Sequence, residues 1–182
     1  RERLEKLRKT NFEIPKIAFM PKTLSDVTQT FKEASEIKDF EHIICIMGAL
    51  GFPSRILSHK LNSYMTYTSP RETSGNTGVI GHIDPKTLNE LYRFRNLSDE
   101  TGICAVTGYP LKVSSSPLIH NTGYREHNMN RVFIPLVSTS FEESMEFAET
   151  LGLDGMAITI PYKGDAIGGA DEVDPEVGEI GA

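Results

Sequence analysis

Two lysines and an arginine are the residues in this sequence whose types and settings suggest chemistry. Lys16 lies inside the apolar run Ile14-Pro-Lys-Ile-Ala-Phe-Met20. On a strand, neighbouring side chains alternate between faces, so Lys16 would project into whatever the strand encloses. An amine that loses hydration there has a lowered pKa and can attack a carbonyl carbon. The same pattern also suits a strand-end lysine whose ammonium snorkels to water. Arg55 closes the stretch Ile43-Ile-Cys-Ile-Met-Gly-Ala-Leu-Gly-Phe-Pro-Ser-Arg55. There a strand ends, glycines turn the chain, and Arg55 falls in the opening turn of a helix. At the catalytic face of a (β/α)8 barrel a guanidinium so placed would grip a carboxylate through two bonds. Taken alone, Arg55 reads rather as a surface helix residue.

A second group follows in Val106-Thr-Gly-Tyr-Pro-Leu-Lys-Val-Ser-Ser-Ser-Pro-Leu-Ile-His-Asn121. Ser114 and Ser116 precede a helix expected to open at Pro117. Their hydroxyls can cap that helix or meet an anionic ligand at its positive end. In Gly155-Met-Ala-Ile-Thr-Ile-Pro-Tyr-Lys163, Thr159 and Lys163 bracket a strand end and a proline-started helix. From its position alone, a lysine in such a turn is usually just solvated.

The elements that must position these groups are legible as short apolar runs alternating with amphipathic stretches. Strands are expected at Ile14–Met20, His42–Met47, Tyr64–Thr68, Gly102–Thr107, Arg131–Val137 and Met156–Ile160. Leu24, Val27, Phe31 and Ala34 share one helical face, as do Leu88, Leu91 and Tyr92, and also Phe141, Met145 and Ala148. Asp84-Pro85 marks a helix start, and Ser140 with Glu143 fits a capping box. The alternation predicts an α/β fold with mainly parallel sheets. A boundary is expected near residue 99, and the Ser/Thr/Gly-rich stretch 69–81 is long enough to be a functional loop.

Composition narrows the functions. Among 182 residues, 19 Lys+Arg stand against 25 Asp+Glu, for a net charge of −6. That balance argues against a general nucleic-acid binder, which needs a concentrated basic face. No apolar run approaches the roughly 18 residues that span a bilayer, so no membrane partner is expected. The two cysteines, Cys45 and Cys104, sit in apolar runs and suit a reducing compartment, the cytoplasm or a plant plastid. The five histidines show no metal-ligand spacing, so no metal is expected.

The segments Lys16-Ile-Ala-Phe-Met20 and Met47-Gly-Ala-Leu-Gly-Phe-Pro-Ser-Arg55 resemble the C-terminal portion of type I 3-dehydroquinate dehydratase. The resemblance covers residues 1–98 and implies part of a (β/α)8 barrel. It makes Lys16 the residue that forms a Schiff base with the ketone of 3-dehydroquinate, and Arg55 the carboxylate clamp. The imine acidifies the adjacent C–H, a histidine takes the proton, and water is eliminated to give 3-dehydroshikimate. Gly78-Val-Ile-Gly-His82 stands where the family has a Gln-containing loop, so His82 becomes a substrate-binding candidate. The family's catalytic histidine comes from earlier barrel strands, and a whole barrel runs to about 250 residues.

Residues 102–182 resemble the substrate-binding domain of shikimate dehydrogenase, on Gly108-Tyr-Pro110, Ser116-Pro-Leu-Ile-His-Asn121 and Thr159-Ile-Pro-Tyr-Lys163. This implies a mostly parallel α/β domain. Ser114, Ser116 and Thr159 would hold shikimate, and Lys163 would transfer the proton as hydride moves to or from NADP. Val113 and Ala157 replace polar residues usual in the family. The Rossmann domain that binds NADP follows this domain in the family, and no GxGxxG occurs here. The two halves, in this order, imply a shikimate-pathway enzyme acting on small molecules, in which this stretch alone lacks turnover. A partial barrel further implies that residues 1–98 are the less stable half. Two rivals remain: a quinate- or shikimate-sensing regulator without chemistry, and a Schiff-base aldolase barrel, which leaves Ser114–Asn121 unexplained.

Overall fold

A computed structural model describes residues 1–10, 12–70, 83–111 and 113–180. The first half builds two strand–helix units. After a short helix, α1 (Glu2–Leu7), strand β1 (Lys16–Phe19) leads into helix α2 (Leu24–Ser35), and β2 (Ile43–Ile46) leads into α3 (Phe52–Ile56). β1 and β2 pair in parallel, Lys16 opposite Ile43 and Phe19 opposite Ile46. Helix α4 (Pro85–Glu90) completes this half. The second half is a three-stranded parallel sheet in the order β4-β3-β5, built from β3 (Gly102–Gly108), β4 (Arg131–Val137) and β5 (Gly155–Ile158). Helices α5 (Ser116–Glu126) and α6 (Phe141–Leu151) connect its strands, and α7 (Lys163–Gly169) and α8 (Pro175–Ile180) follow. The fold is α/β with parallel sheets, and its strands do not close a barrel.

The apolar face read for α2 is the buried one: Leu24, Val27, Phe31 and Ala34 are all at most 2% exposed. Thr23 and Asp26 form the reciprocal capping box that starts it. Asp84 caps α4 by accepting the Lys86 and Thr87 N–H groups at 3.0 and 3.1 Å. Helix α6 departs from expectation. Its inward residues are Ser144 and Phe147, while Met145 remains 37% exposed. The face is set by its neighbours: the Ser144 hydroxyl bonds that of Thr107 on β3 at 2.8 Å, and the Phe147 ring meets Phe31 edge-on at 5.8 Å. Ser140 caps the helix, but the Glu143 carboxylate does not return to it. It accepts instead from the Leu24 N–H at 3.1 Å, so it serves the start of α2. A carboxylate at a helix N-terminus satisfies an otherwise unpaired N–H and favours the dipole.

Tyr64–Thr68 is not a strand, contrary to expectation. The nearest pairing is a single parallel bridge, His42 with Ser63, just ahead of the two segments. The Ser63 hydroxyl accepts the Ile44 N–H at 3.1 Å, where a ladder would need a backbone carbonyl. The following residues turn to α3, with Thr66 Oγ1 donating to the Arg55 carbonyl at 3.0 Å.

One core crosses residue 99. Ile103, Ala105, Val132, Ile134, Leu136 and Phe147 are packed with Leu24, Phe31, Ile46, Phe52 and Ile56. The other face of the second sheet has its own cluster of Cys104, Val106, Leu111, Phe133 and Val137. Alternate residues of β3 and β4 feed the two cores, as a sheet buried on both faces requires. The first half therefore shares its core with the second. No helix among the described residues is long and apolar enough to cross a membrane.

Candidate functional site

Lys16 and Arg55 are brought together through Tyr67. Along β1, Ile17 and Phe19 pack on the core while Lys16 and Ala18 face outward. The Lys16 Nζ lies 4.1 Å from the centre of the Tyr67 ring. The Arg55 Nη1 donates to the Tyr67 carbonyl at 3.1 Å, and Thr66 Oγ1 donates to the Arg55 carbonyl. These bonds fix the Thr66–Tyr67 backbone against α3 and set the ring over the amine. Sequence reasoning missed Tyr67. Its signal was an aromatic in the run Tyr64–Thr68, taken there for strand packing.

The Lys16 amine is exposed in this chain. Its pKa lies above the ordinary lysine value, chiefly through the hydrogen bond to the Tyr67 side chain, with the small opposing effect of burial next. Desolvation lowers a lysine pKa only where the ammonium is taken from water. Here the amine is solvent-exposed, and a tyrosine face attracts the cation. His82 and the rest of Gly78–His82 lie outside the described residues. The chain on either side of that stretch is joined by the Ser69 N–H donating to the Ile83 carbonyl at 2.9 Å.

Arg55 is positioned by the tight exit from β2. Gly51 sits over the end of that strand, where an added Cβ would lie 2.3 Å from the Ile46 oxygen and 2.8 Å from the Met47 oxygen. Both are backbone atoms, so the turn itself would have to move. Gly51→Ala is expected to lower stability by about 1–3 kcal/mol, as for overpacked sites. Gly123 lies within α5 with open space around its Cβ position. Gly123→Ala should instead gain roughly 0.5–1 kcal/mol. Urea unfolding of the two variants beside the wild type checks both signs.

The second group gathers at the carboxyl edge of the β4-β3-β5 sheet. β3 exits through Tyr109, whose N–H donates to the Ile160 carbonyl at 3.0 Å, tying its loop to that after β5. Gly108 permits this approach, because a Cβ there would lie 2.4 Å from Thr159 Cγ2 and 2.8 Å from the Ile160 oxygen. The Thr159 N–H donates to the Thr107 carbonyl, and the Thr159 carbonyl accepts from Tyr162, each at 3.0 Å. Tyr162, buried, donates its hydroxyl to the Ser138 carbonyl at 2.8 Å. That bond anchors the turn from which Lys163 opens α7 as an exposed residue.

Ser114 and Ser116 stand at the start of α5, which begins at Ser116 rather than Pro117. The Ser114 hydroxyl accepts the Ser116 N–H at 3.2 Å, and Ser115, at the N-cap, makes no side-chain cap bond. The sheet thus sets Ser114 and Ser116 at the start of α5, and Thr159 and Lys163 about the turn that opens α7, both beyond its carboxyl edge. Asn121 has a structural part that sequence reasoning did not assign. Its amide donates to the Phe133 carbonyl and accepts the Phe133 N–H, both at 2.8 Å. It thereby pairs the exposed edge of β4 and docks α5 on it. His120 stacks on the Phe133 ring at 4.2 Å.

No group of three His, Cys, Asp or Glu residues that could hold a metal ion occurs among the described residues. A dinucleotide needs a glycine turn between a strand and a helix, where the backbone can approach a pyrophosphate. The turn from β3 to α5, Tyr109–Ser115, contains no glycine. That turn offers a pyrophosphate no such approach.

Two family models match the chain, one over each half. The chain belongs to the type I 3-dehydroquinase family, whose model matches residues 1–99, and residues 106–182 match the shikimate dehydrogenase substrate binding domain. It is 30% identical over 177 residues to a bifunctional 3-dehydroquinate dehydratase/shikimate dehydrogenase, chloroplastic, of Arabidopsis thaliana, covering 97% of this chain and 29% of that protein. A shikimate biosynthesis protein AroDE of Chlamydia pneumoniae is 30% identical over 162 residues, 85% of this chain and 32% of its own. A shikimate dehydrogenase (NADP(+)) of Halothermothrix orenii is 38% identical over 86 residues, 46% of this chain and 30% of its own. The chain thus spans about 30% of the length of these relatives.

Proposed function

We propose that this chain contributes to two shikimate-pathway activities, dehydration of 3-dehydroquinate and reduction of 3-dehydroshikimate. The observation that carries the reading is the order of the matches, dehydratase then dehydrogenase, in one stretch that aligns over 97% of its length with a bifunctional relative. Within the first half, Lys16 is the nucleophile. Its neutral amine adds to the ketone carbon of 3-dehydroquinate, and the carbonyl oxygen leaves as water, forming a cationic imine. That charge acidifies the adjacent C–H. Loss of the proton to a histidine of the remaining barrel strands, which returns it to the neighbouring hydroxyl as that group departs as water, gives the conjugated product. Hydrolysis of the imine returns Lys16, for a net loss of one water. Arg55 clamps the carboxylate, and His82 hydrogen-bonds the substrate.

In the second half, Ser114, Ser116 and Thr159 hold shikimate hydroxyl and carboxylate groups, and Lys163 moves the proton at the substrate oxygen that becomes a ketone. The division at about residue 99 separates the two sites without separating their core. NADP is named for dehydrogenase relatives. It is bound by a further domain, and no step is assigned to it on these residues.

The test joins the remaining barrel strands and the nucleotide domain of a relative to this chain. Dehydration is followed by the absorbance of the conjugated product, and shikimate oxidation by NADPH formation. Both should be present in the completed protein and absent from the 182 residues alone. Shikimate oxidation by the short chain, or no dehydration by the completed one, would contradict the proposal.

A further inference from the structure

We infer that Tyr67 is a positioning residue for Lys16: its side chain seats the amine as an ammonium over the outward face of β1, and its carbonyl ties that seat to Arg55. Three contacts carry this. The Lys16 Nζ lies 4.1 Å from the Tyr67 ring centre, Arg55 Nη1 donates to the Tyr67 carbonyl at 3.1 Å, and Thr66 Oγ1 closes the loop on the Arg55 carbonyl at 3.0 Å. A cation over an aromatic face is held electrostatically, and a flexible four-carbon lysine stem gains one preferred position. The raised Lys16 pKa is the expected companion of that geometry.

The arrangement couples the two cations through one residue. The Thr66 hydroxyl and the Arg55 guanidinium hold the segment at two points. That Lys16 is the reactive lysine rests on the Schiff-base reading, whereas the seat itself does not.

The experiment therefore reads the amine without substrate. The 182-residue chain is labelled competitively with acetic anhydride across pH 7 to about 12, and peptides are quantified by mass spectrometry, with exposed Lys22 as internal reference. Wild-type Lys16 should label with a midpoint above the ordinary lysine value of 10.5. Tyr67→Leu, which removes ring and hydroxyl, should lower that midpoint and raise Lys16 labelling at pH 9 by roughly threefold or more, each pKa unit being tenfold in free amine. Tyr67→Phe keeps the ring and should fall between them; it carries the test if Tyr67→Leu loses its far-UV circular dichroism. One midpoint shared by the folded variants and the wild type would overturn the inference. Failure of the Schiff-base reading shows up separately, as absence of a borohydride-trapped substrate adduct.

Discussion

Lys16→Met in the completed protein should abolish dehydration of 3-dehydroquinate, with kcat reduced by roughly 10³-fold or more, as when a covalent nucleophile is lost. The substitution keeps side-chain length and the apolar stem but cannot form an imine. Lys16 is exposed and makes no ion pair among the described contacts, so folding should be unaffected. An unchanged urea midpoint beside the lost rate separates chemistry from stability. The dehydrogenase activity of the same protein is the internal control, because Thr159 and Lys163 lie on the second sheet's edge. Parallel loss of both activities would point to damage of the fold instead.

The second large effect is on stability. Phe147→Ala should cost about 3–5 kcal/mol, the range for truncating a buried aromatic. That is a large share of the roughly 5–15 kcal/mol that holds a domain. Phe147 is fully buried, and its ring meets Phe31 of α2 at the junction of the two halves. The loss should therefore spread. In hydrogen exchange read by mass spectrometry, peptides from β1–α2 and from β3–β4 should lose protection together. Loss confined to α6 and β5, with α2 still protected, would show that the halves are energetically separate. The Leu24–Glu143 and Ser25–Glu146 hydrogen bonds run across the same contact but lie nearer solvent, and each should matter less.

Local patterns were legible wherever one residue's own chemistry decides the structure. Asp84 followed by Pro85 starts a helix because its carboxylate meets the first free N–H groups within a few residues. The α2 face was legible for the same kind of reason: four apolar residues at helical spacing have only one side to bury. Tertiary partners decided the rest. The inward face of α6 is chosen by Thr107 and Phe31, distant in sequence, so the periodicity of Phe141, Met145 and Ala148 pointed to a neighbouring face. Tyr64–Thr68 has strand composition, yet the Ser63 hydroxyl takes the N–H that a third strand would have paired.

The site was legible in part. Lys16 and Arg55 could be singled out because strand and turn signals placed them at element ends. What their types could not reveal was Tyr67 between them, since an aromatic in an apolar run reads as packing. The ring beside the amine was likewise not legible, because an aromatic distant in sequence gives no sign of lying over Lys16. Asn121 shows the reverse case. The Ser-Pro-Leu-Ile-His-Asn segment carried a family resemblance, yet its asparagine serves the β4 edge through two backbone bonds.

The most direct test of the Schiff-base assignment is borohydride reduction of the completed protein in the presence of 3-dehydroquinate, followed by peptide mass mapping. The expected result is a single reduced adduct on the peptide containing Lys16, absent from Lys16→Met. An adduct on Lys22, or dehydration that proceeds with no adduct at all, would contradict the account.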